Sequence, residues 1–99
     1  MTETSCIFTP GEILKEEFLD PLGISQYRLA KAIQKPQSAV SEIVKGTRAI
    51  TPEMATLLGR ALRTSPQFWM NLEITYRMRT VDLEKIHAEE VPDLIACVG

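Results

Sequence analysis

Residues 26–45 read QYRLAKAIQKPQSAVSEIVK, and their pattern is the most informative in the chain. It contains two short runs of apolar residues at helical spacing, separated by a turn at residues 34–36. The small side chain of Ala30 in the first run allows two helices to cross closely. We therefore predict helices over about 26–33 and 37–45 that form a helix-turn-helix. The side chains expected to face inward are Leu29, Ala30, Ile33, Val40, Ile43 and Val44.

Helix-start signals lie on both sides of this motif. Thr9, Thr51 and Ser65 each precede a proline, which is the pattern of an N-cap followed by the first helical residue. Glu12 can complete a capping box with Thr9. Three more helices are therefore predicted, over about 10–19, over about 52–62 and from residue 66 onward. Since no segment shows sustained period-two alternation, the expected fold is all-α, a compact five-helix bundle with a C-terminal extension.

The length and composition suit one globular domain. The chain has 99 residues, of which 44% are hydrophobic, and a chain of this size folds around a single core. We predict a helix-turn-helix domain over residues 1–78 and a C-terminal extension over 79–99, for which helix and disorder both remain open. No run approaches the roughly 18 apolar residues of a membrane span, and the N-terminus lacks a secretory pattern. A cytoplasmic location without membrane contact is expected.

The residues that could carry catalysis or bind a cofactor are few. His87 is the only histidine, and Cys6 and Cys97 lie near opposite ends of the chain. Two distant cysteines and one histidine do not match the spacing of a zinc site, and no glycine-rich phosphate loop is present. We therefore expect free thiols, no metal, no cofactor and no enzyme activity.

The charge is unevenly distributed along the chain. Residues 1–25 hold one basic and five acidic residues, residues 26–63 hold seven and two, and residues 64–99 hold three and six. The formal net charge of −2 therefore conceals a basic middle segment between acidic ends. Such asymmetry indicates a local anionic partner, although solvated helix surfaces would also account for it.

The outer face of the second predicted helix carries side chains that suit base recognition in a major groove. Glutamine can bridge adenine, serine reads bases loosely, and glutamate can accept from cytosine. The candidates for base contacts are Gln37, Ser38, Ser41 and Glu42. The candidates for phosphate contacts are Gln26, at a helix start, and Lys45, Thr47 and Arg48, which follow the second helix. The alternatives are an ordinary helix start, a solvated surface and, for Glu42, an intramolecular ion pair.

Two segments outside the motif are more specific than the motif itself: Pro10-Gly11-Glu12-Ile13-Leu14 and Ser65-Pro66-Gln67-Phe68-Trp69. With them, residues 10–76 resemble the HigA (VapI-like) antitoxins, a branch of the lambda-repressor-like, XRE-type helix-turn-helix proteins. The turn departs from the family pattern, because Gln34 and Lys35 stand where glycine and an apolar residue are usual. A left-handed Gln34 would cost about 1 kcal/mol relative to glycine.

The resemblance implies a DNA-binding antitoxin that represses its own operon. It also implies a RelE/HigB-type mRNA-cleaving toxin as partner, and a homodimer on a palindromic operator of double-stranded DNA. Two alternatives stay open. One is a stand-alone XRE-type regulator without a toxin, and the other is a protein-interaction module that has lost DNA binding.

The surfaces for protein partners are predicted from chemistry and charge. The cluster of large side chains on the last helix supplies the candidate dimer contacts Trp69, Leu72 and Tyr76, and the polar tips of Trp69 and Tyr76 suit a partly wet boundary. A basic toxin would suit the acidic segments 1–25 and 73–93.

Overall fold

The computed structural model describes residues 8–98, and every regular element within that range is helical. This confirms the predicted all-α class. The elements are α1 (Pro10–Ile13), a π-helical segment (Leu14–Leu19), α2 (Asp20–Leu22), α3 (Gln26–Ile33), α4 (Gln37–Lys45), α5 (Pro52–Leu62), α6 (Pro66–Arg79), a 3-10 helix (Ala88–Glu90) and α7 (Leu94–Val98). Cys6 and the side chain of Cys97 lie outside the described part, so the free thiols stay a prediction.

The predicted bounds of α3, α4 and α5 match the structure, whereas the first helix was predicted too short. The segment Asp20-Pro21-Leu22-Gly23 predicts an end near Leu19, but the chain stays helical to Leu22. The N–H of Asp20 donates to the Lys15 carbonyl in the π-helical pattern. Pro21 then stands in the first turn of α2, where proline is tolerated. Gly23, left-handed with φ 66°, ends the helix.

Side-chain caps begin the helices as the sequence predicts. Glu12 donates its N–H to the Thr9 hydroxyl at 3.1 Å, and Thr9 donates its N–H to the Glu12 carboxylate at 2.9 Å. The hydroxyls of Ser25, Thr51 and Ser65 each accept an N–H three residues later, at the starts of α3, α5 and α6. Each such cap stabilises its helix by about 1 kcal/mol.

The core lies between the first helix, the helix-turn-helix, α5 and α6. Trp69 is the largest residue in it and is fully buried, with its ring centroid 5.2 Å from that of Phe18. The Trp69 indole donates to the Thr64 hydroxyl at 2.6 Å, which satisfies its N–H inside the protein. The core therefore ties the start of α6 to the first helix.

Gly11 marks the closest approach of the first helix to α4. A Cβ at Gly11 would lie 1.8 Å from the Ile43 carbonyl oxygen and 2.7 Å from its carbon. No side chain fits there, because both are backbone atoms of α4. The Pro10-Gly11-Glu12 segment thus packs directly against the α4 backbone at Ile43. This contact helps to set the direction in which the outer face of α4 points.

Glu73 on α6 is a buried carboxylate with two partners. It accepts the backbone N–H of Ile50 at 3.1 Å and also a hydrogen bond from the Arg77 guanidinium. Ile50 belongs to the loop after α4, so Glu73 anchors that loop to α6. Its burial removes Glu73 from the acidic surface predicted over 73–93, while the other acidic side chains of that segment are exposed.

The elements after α6 do not pack extensively against the helices of the bundle. The apolar side chains of Val91, Leu94 and Ile95 are all exposed. The division at residues 78 and 79 stays a prediction. Within residues 8–98, no helix is long and apolar enough to cross a membrane.

Candidate nucleic-acid interface

The turn between α3 and α4 sets the crossing of the two helices. Gln34 ends α3 in the left-handed conformation (φ 60°, ψ 43°), as expected if it replaces glycine. The N–H of Lys35 then returns to the Ala30 carbonyl at 3.0 Å. Ala30 and Ile33 are buried against Val40 and Ile43 on the inner face of α4. The opposite face of α4 is consequently turned outward.

The four predicted base-contact residues share this outward face. Gln37 and Ser38 are exposed at the start of α4, and Ser41 and Glu42 are half-buried one turn later, which is the spacing of helical neighbours. Ala39, between these pairs in the sequence, is buried in the core. The structure thus brings Gln37, Ser38, Ser41 and Glu42 onto one polar surface at the helix-turn-helix.

Glu42 and Arg48 form an ion pair across the end of α4. The Arg48 Nε and Nη2 atoms lie 2.8 and 2.7 Å from Oε1 of Glu42. Glu42 therefore forms an ion pair within the protein, which was the alternative to a base contact in the sequence-based prediction. Two of the five guanidinium N–H groups serve the pair, which leaves three that can face another acceptor. Since both partners are about half exposed, the pair adds little stability.

The loop after α4 is held by backbone contacts. Gly46 ends α4 with φ 87°, and Thr47 donates both its N–H and its hydroxyl to the Glu42 carbonyl, at 2.9 and 3.3 Å. Together with the bond from Ile50 to Glu73, this fixes the exposed Lys45, Thr47 and Arg48 beside the outer face of α4. Gln26, the remaining phosphate candidate, is half-buried in the first turn of α3.

A polar cleft of about 350 Å³ opens beside the start of α4, and its lining includes Lys35, Ser38, Arg48 and Glu53. Lys35 Nζ lies 2.7 Å from a Glu53 oxygen. The hydrogen bond from Lys35 and then its charge hold the pKa of Glu53 below its usual value. Sequence patterns do not indicate this pair, because its members lie 18 positions apart and the packing of α5 brings them together.

An apolar groove of about 290 Å³ lies on the other side of the bundle, between α1 and α6. Its lining includes Phe8, Ile13, Phe68, Leu72, Tyr76 and Arg79; we call it the α6 groove. Leu72 and Tyr76, two of the predicted dimer contacts, are half-buried there. The prediction for Trp69 is corrected, because its fully buried ring offers no surface to a partner.

The described residues contain no cluster of three or more histidine, cysteine, aspartate or glutamate side chains that could hold a metal ion.

Comparison with known proteins gives consistent matches. The helix-turn-helix family matches residues 14–69. Virulence-associated protein I of Dichelobacter nodosus is 40% identical over 76 residues, which cover 77% of this chain and 70% of that protein. The structure of the Pseudomonas aeruginosa antitoxin HigA with the higBA promoter superposes with a TM-score of 0.81 at 40% identity, covering 90% of this chain and 99% of the other. An addiction module antidote protein of the HigA family from Coxiella burnetii gives a TM-score of 0.77 at 34% identity, covering 87% and 96%.

Proposed function

The chain belongs to the helix-turn-helix family that includes the HigA antitoxins and virulence-associated protein I, and on that premise we propose that it is an operator-binding antitoxin. It represses the operon that encodes it and neutralises a RelE/HigB-type toxin. Such a regulator acts in the cytoplasm, where its operator lies.

One observation carries the DNA-binding part of the proposal. The outward face of α4 presents Gln37 and Ser38 beside the basic loop that holds Lys45 and Arg48. Base-edge contacts from a recognition helix specify sequence, and contacts to phosphates fix its position. The Pseudomonas aeruginosa relative is described with a promoter, which supports the same use of this surface here.

A second copy of the chain completes the proposed DNA reader. A helix-turn-helix dimer reads two half-sites about 34–36 Å apart, one turn of DNA, and so requires a palindromic operator. We propose that the α6 groove, with Leu72 and Tyr76, forms the homodimer contact.

A gel-shift titration on the DNA upstream of the gene tests the DNA-binding part. Gln37→Ala removes a bidentate base contact worth about 1–3 kcal/mol, so we expect at least a fivefold loss of affinity for the operator and no change on random duplex. Gln67→Ala is the matched control, since Gln67 is an exposed glutamine on α6 whose side chain donates to the Asn71 side chain of the same helix. Equal losses on both duplexes would reject base readout by Gln37.

The toxin part rests on charge. The exposed acidic residues Glu12, Glu16, Glu17 and Asp20 on the first helix, and those of residues 82–93, would face a basic protein. Co-purification with the product of the adjacent gene tests this, using a Glu16→Gln/Glu17→Gln chain, which loses two exposed charges of the first helix, and a chain that lacks residues 79–99. Loss of the partner from one of them identifies the surface, while full retention by both rejects the acidic ends. An adjacent gene without a basic toxin would favour a stand-alone regulator.

A further inference from the structure

The α6 groove and α7 are two apolar surfaces of one chain that do not cover each other. Leu94 and Ile95 on α7 are 69% and 82% exposed, and Val91 just before α7 is 70% exposed. The groove accommodates a few such side chains, with a volume of about 290 Å³. Burying apolar side chains of this size is favourable by about 1.5–3 kcal/mol each, so each surface gains from a partner.

Hydrogen bonds order the C-terminal tail, residues 80–98, so that α7 is already helical in the single chain. Asp93 accepts the N–H groups of Ile95 and Ala96 at 3.0 and 3.1 Å, which caps the start of α7. Asp82 similarly accepts the N–H groups of Glu84 and Lys85 at 3.1 Å. Backbone bonds then continue from Ile86 to Val91. The segment between α6 and α7 is thus an ordered spacer, and α7 does not pack extensively against any helix of its own bundle.

The charges around the two surfaces are complementary. Arg79 lies at the end of the α6 groove. Glu89, Glu90 and Asp93 precede α7 and are exposed. A tail docked in the groove would bring these carboxylates toward a basic rim, which favours one orientation of the incoming helix.

We propose that α7 of one copy docks into the α6 groove of a second copy, with Leu94 and Ile95 packed against Leu72 and Tyr76. The exchange is reciprocal, so a twofold symmetric dimer buries both tails. This inference rests on the proposed homodimer and adds the identity of the element that fills the groove. The ordered spacer is the reason to assign the helix to the second copy rather than to the same chain.

Light scattering of the full chain over a range of concentrations tests the docking. Leu94→Glu/Ile95→Glu places charges on α7 at exposed positions, so the bundle still folds, and we expect the dimer dissociation constant to rise at least tenfold. Thr75→Glu, at an exposed position lining the groove, should have the same effect. Leu22→Glu is the control, because Leu22 is 61% exposed and lies outside both surfaces; it should leave the dimer unchanged.

The outcomes separate the docking from the dimer itself. If Thr75→Glu dissociates the dimer and the α7 variant does not, the groove dimer stands and the docking of α7 is overturned. If neither variant changes the dimer, both the groove contact and the docking are overturned, while operator binding is judged by its own titration.

Disulfide trapping distinguishes exchange from docking within one chain. Thr75→Cys and Ile95→Cys are placed in separate full-length chains of different tag size, each also carrying Cys6→Ser and Cys97→Ser. After mixing and mild oxidation, we expect a covalent dimer containing one chain of each size. If the mixture yields none, and a chain with both cysteines closes on itself as a monomer, the exchange is overturned.

Discussion

Gln34 holds an unfavourable backbone conformation in the turn between α3 and α4. Its left-handed backbone is the conformation in which a side chain clashes with the following carbonyl. The turn nevertheless forms, because Ala30, Ile33, Val40 and Ile43 are buried on either side of it. Packing of the two helices therefore outweighs a local cost of about 1 kcal/mol.

Replacing Gln34 with glycine should stabilise the protein. Gln34→Gly removes the left-handed strain, an effect partly offset by the greater freedom of glycine in the unfolded chain, and we expect a gain of up to about 1 kcal/mol. Thermal unfolding would then shift upward by about 4–8 °C at most. Gln34→Ala keeps the strain and should show no gain. Equal melting temperatures for the two variants would contradict this account.

Gly11 leads to a prediction of opposite sign. Alanine normally stabilises a helix relative to glycine, but Gly11→Ala would drive a Cβ into the Ile43 backbone. We expect a loss of at least about 2 kcal/mol in urea unfolding, since well-packed backbones tolerate little overpacking. Gly23→Ala is the comparison, because its Cβ meets nothing within 4 Å and only the positive φ opposes it. A Gly11→Ala protein as stable as the parent would refute the close contact.

Whole elements differ in how far the sequence predicts them. The bounds of α3, α4 and α5 follow from caps and apolar spacing, because those signals are local. The π-helical segment and the continuation through Pro21 were missed, since a proline normally indicates a helix end. The outward face of α4 was predicted from its periodicity. The bond from Ile50 to Glu73 was not, because it joins residues 23 positions apart and depends on how α6 packs.

The Lys35–Glu53 ion pair links the turn before α4 to the start of α5. In this pair, Glu53 neutralises the Lys35 ammonium group beside the proposed DNA surface. Glu53→Gln should release Lys35 and raise affinity for random duplex several-fold in low salt. The gain should vanish in high salt, where exposed charges are screened. Asp20→Asn is the matched control, because it removes one charge and frees Lys15 on the first helix, outside the proposed interface. A gain of equal size in both variants would indicate a general charge effect.

Across the whole molecule, the location of the charges matters more than their sum. The formal net charge is −2, yet seven of the eleven basic residues lie between residues 26 and 63. Salt screening limits charge effects to about 8–10 Å at physiological ionic strength. DNA should therefore respond to the surface around α4 and hardly to the acidic first helix.

This view predicts how charge changes affect salt dependence. Glu16→Gln/Glu17→Gln brings the formal net charge to zero but alters only the first helix, and the slope of log affinity against log salt should stay the same. Lys45→Gln changes the net charge by half as much but removes a phosphate contact, so the slope should fall by about one. A steeper slope in the Glu16/Glu17 variant would show that net charge governs binding.

The single tryptophan has a practical consequence for the whole fold. Trp69 lies fully buried between Phe18 and Phe68, with its indole N–H held by Thr64. Its fluorescence emission should be blue-shifted in the native state and move to longer wavelength when the bundle opens. The Trp69 ring packs against Phe18 of the first helix, and Trp69 itself lies near the start of α6. Its fluorescence therefore reports loss of the core without any added label. Dissolved quenchers should reach the ring only after unfolding.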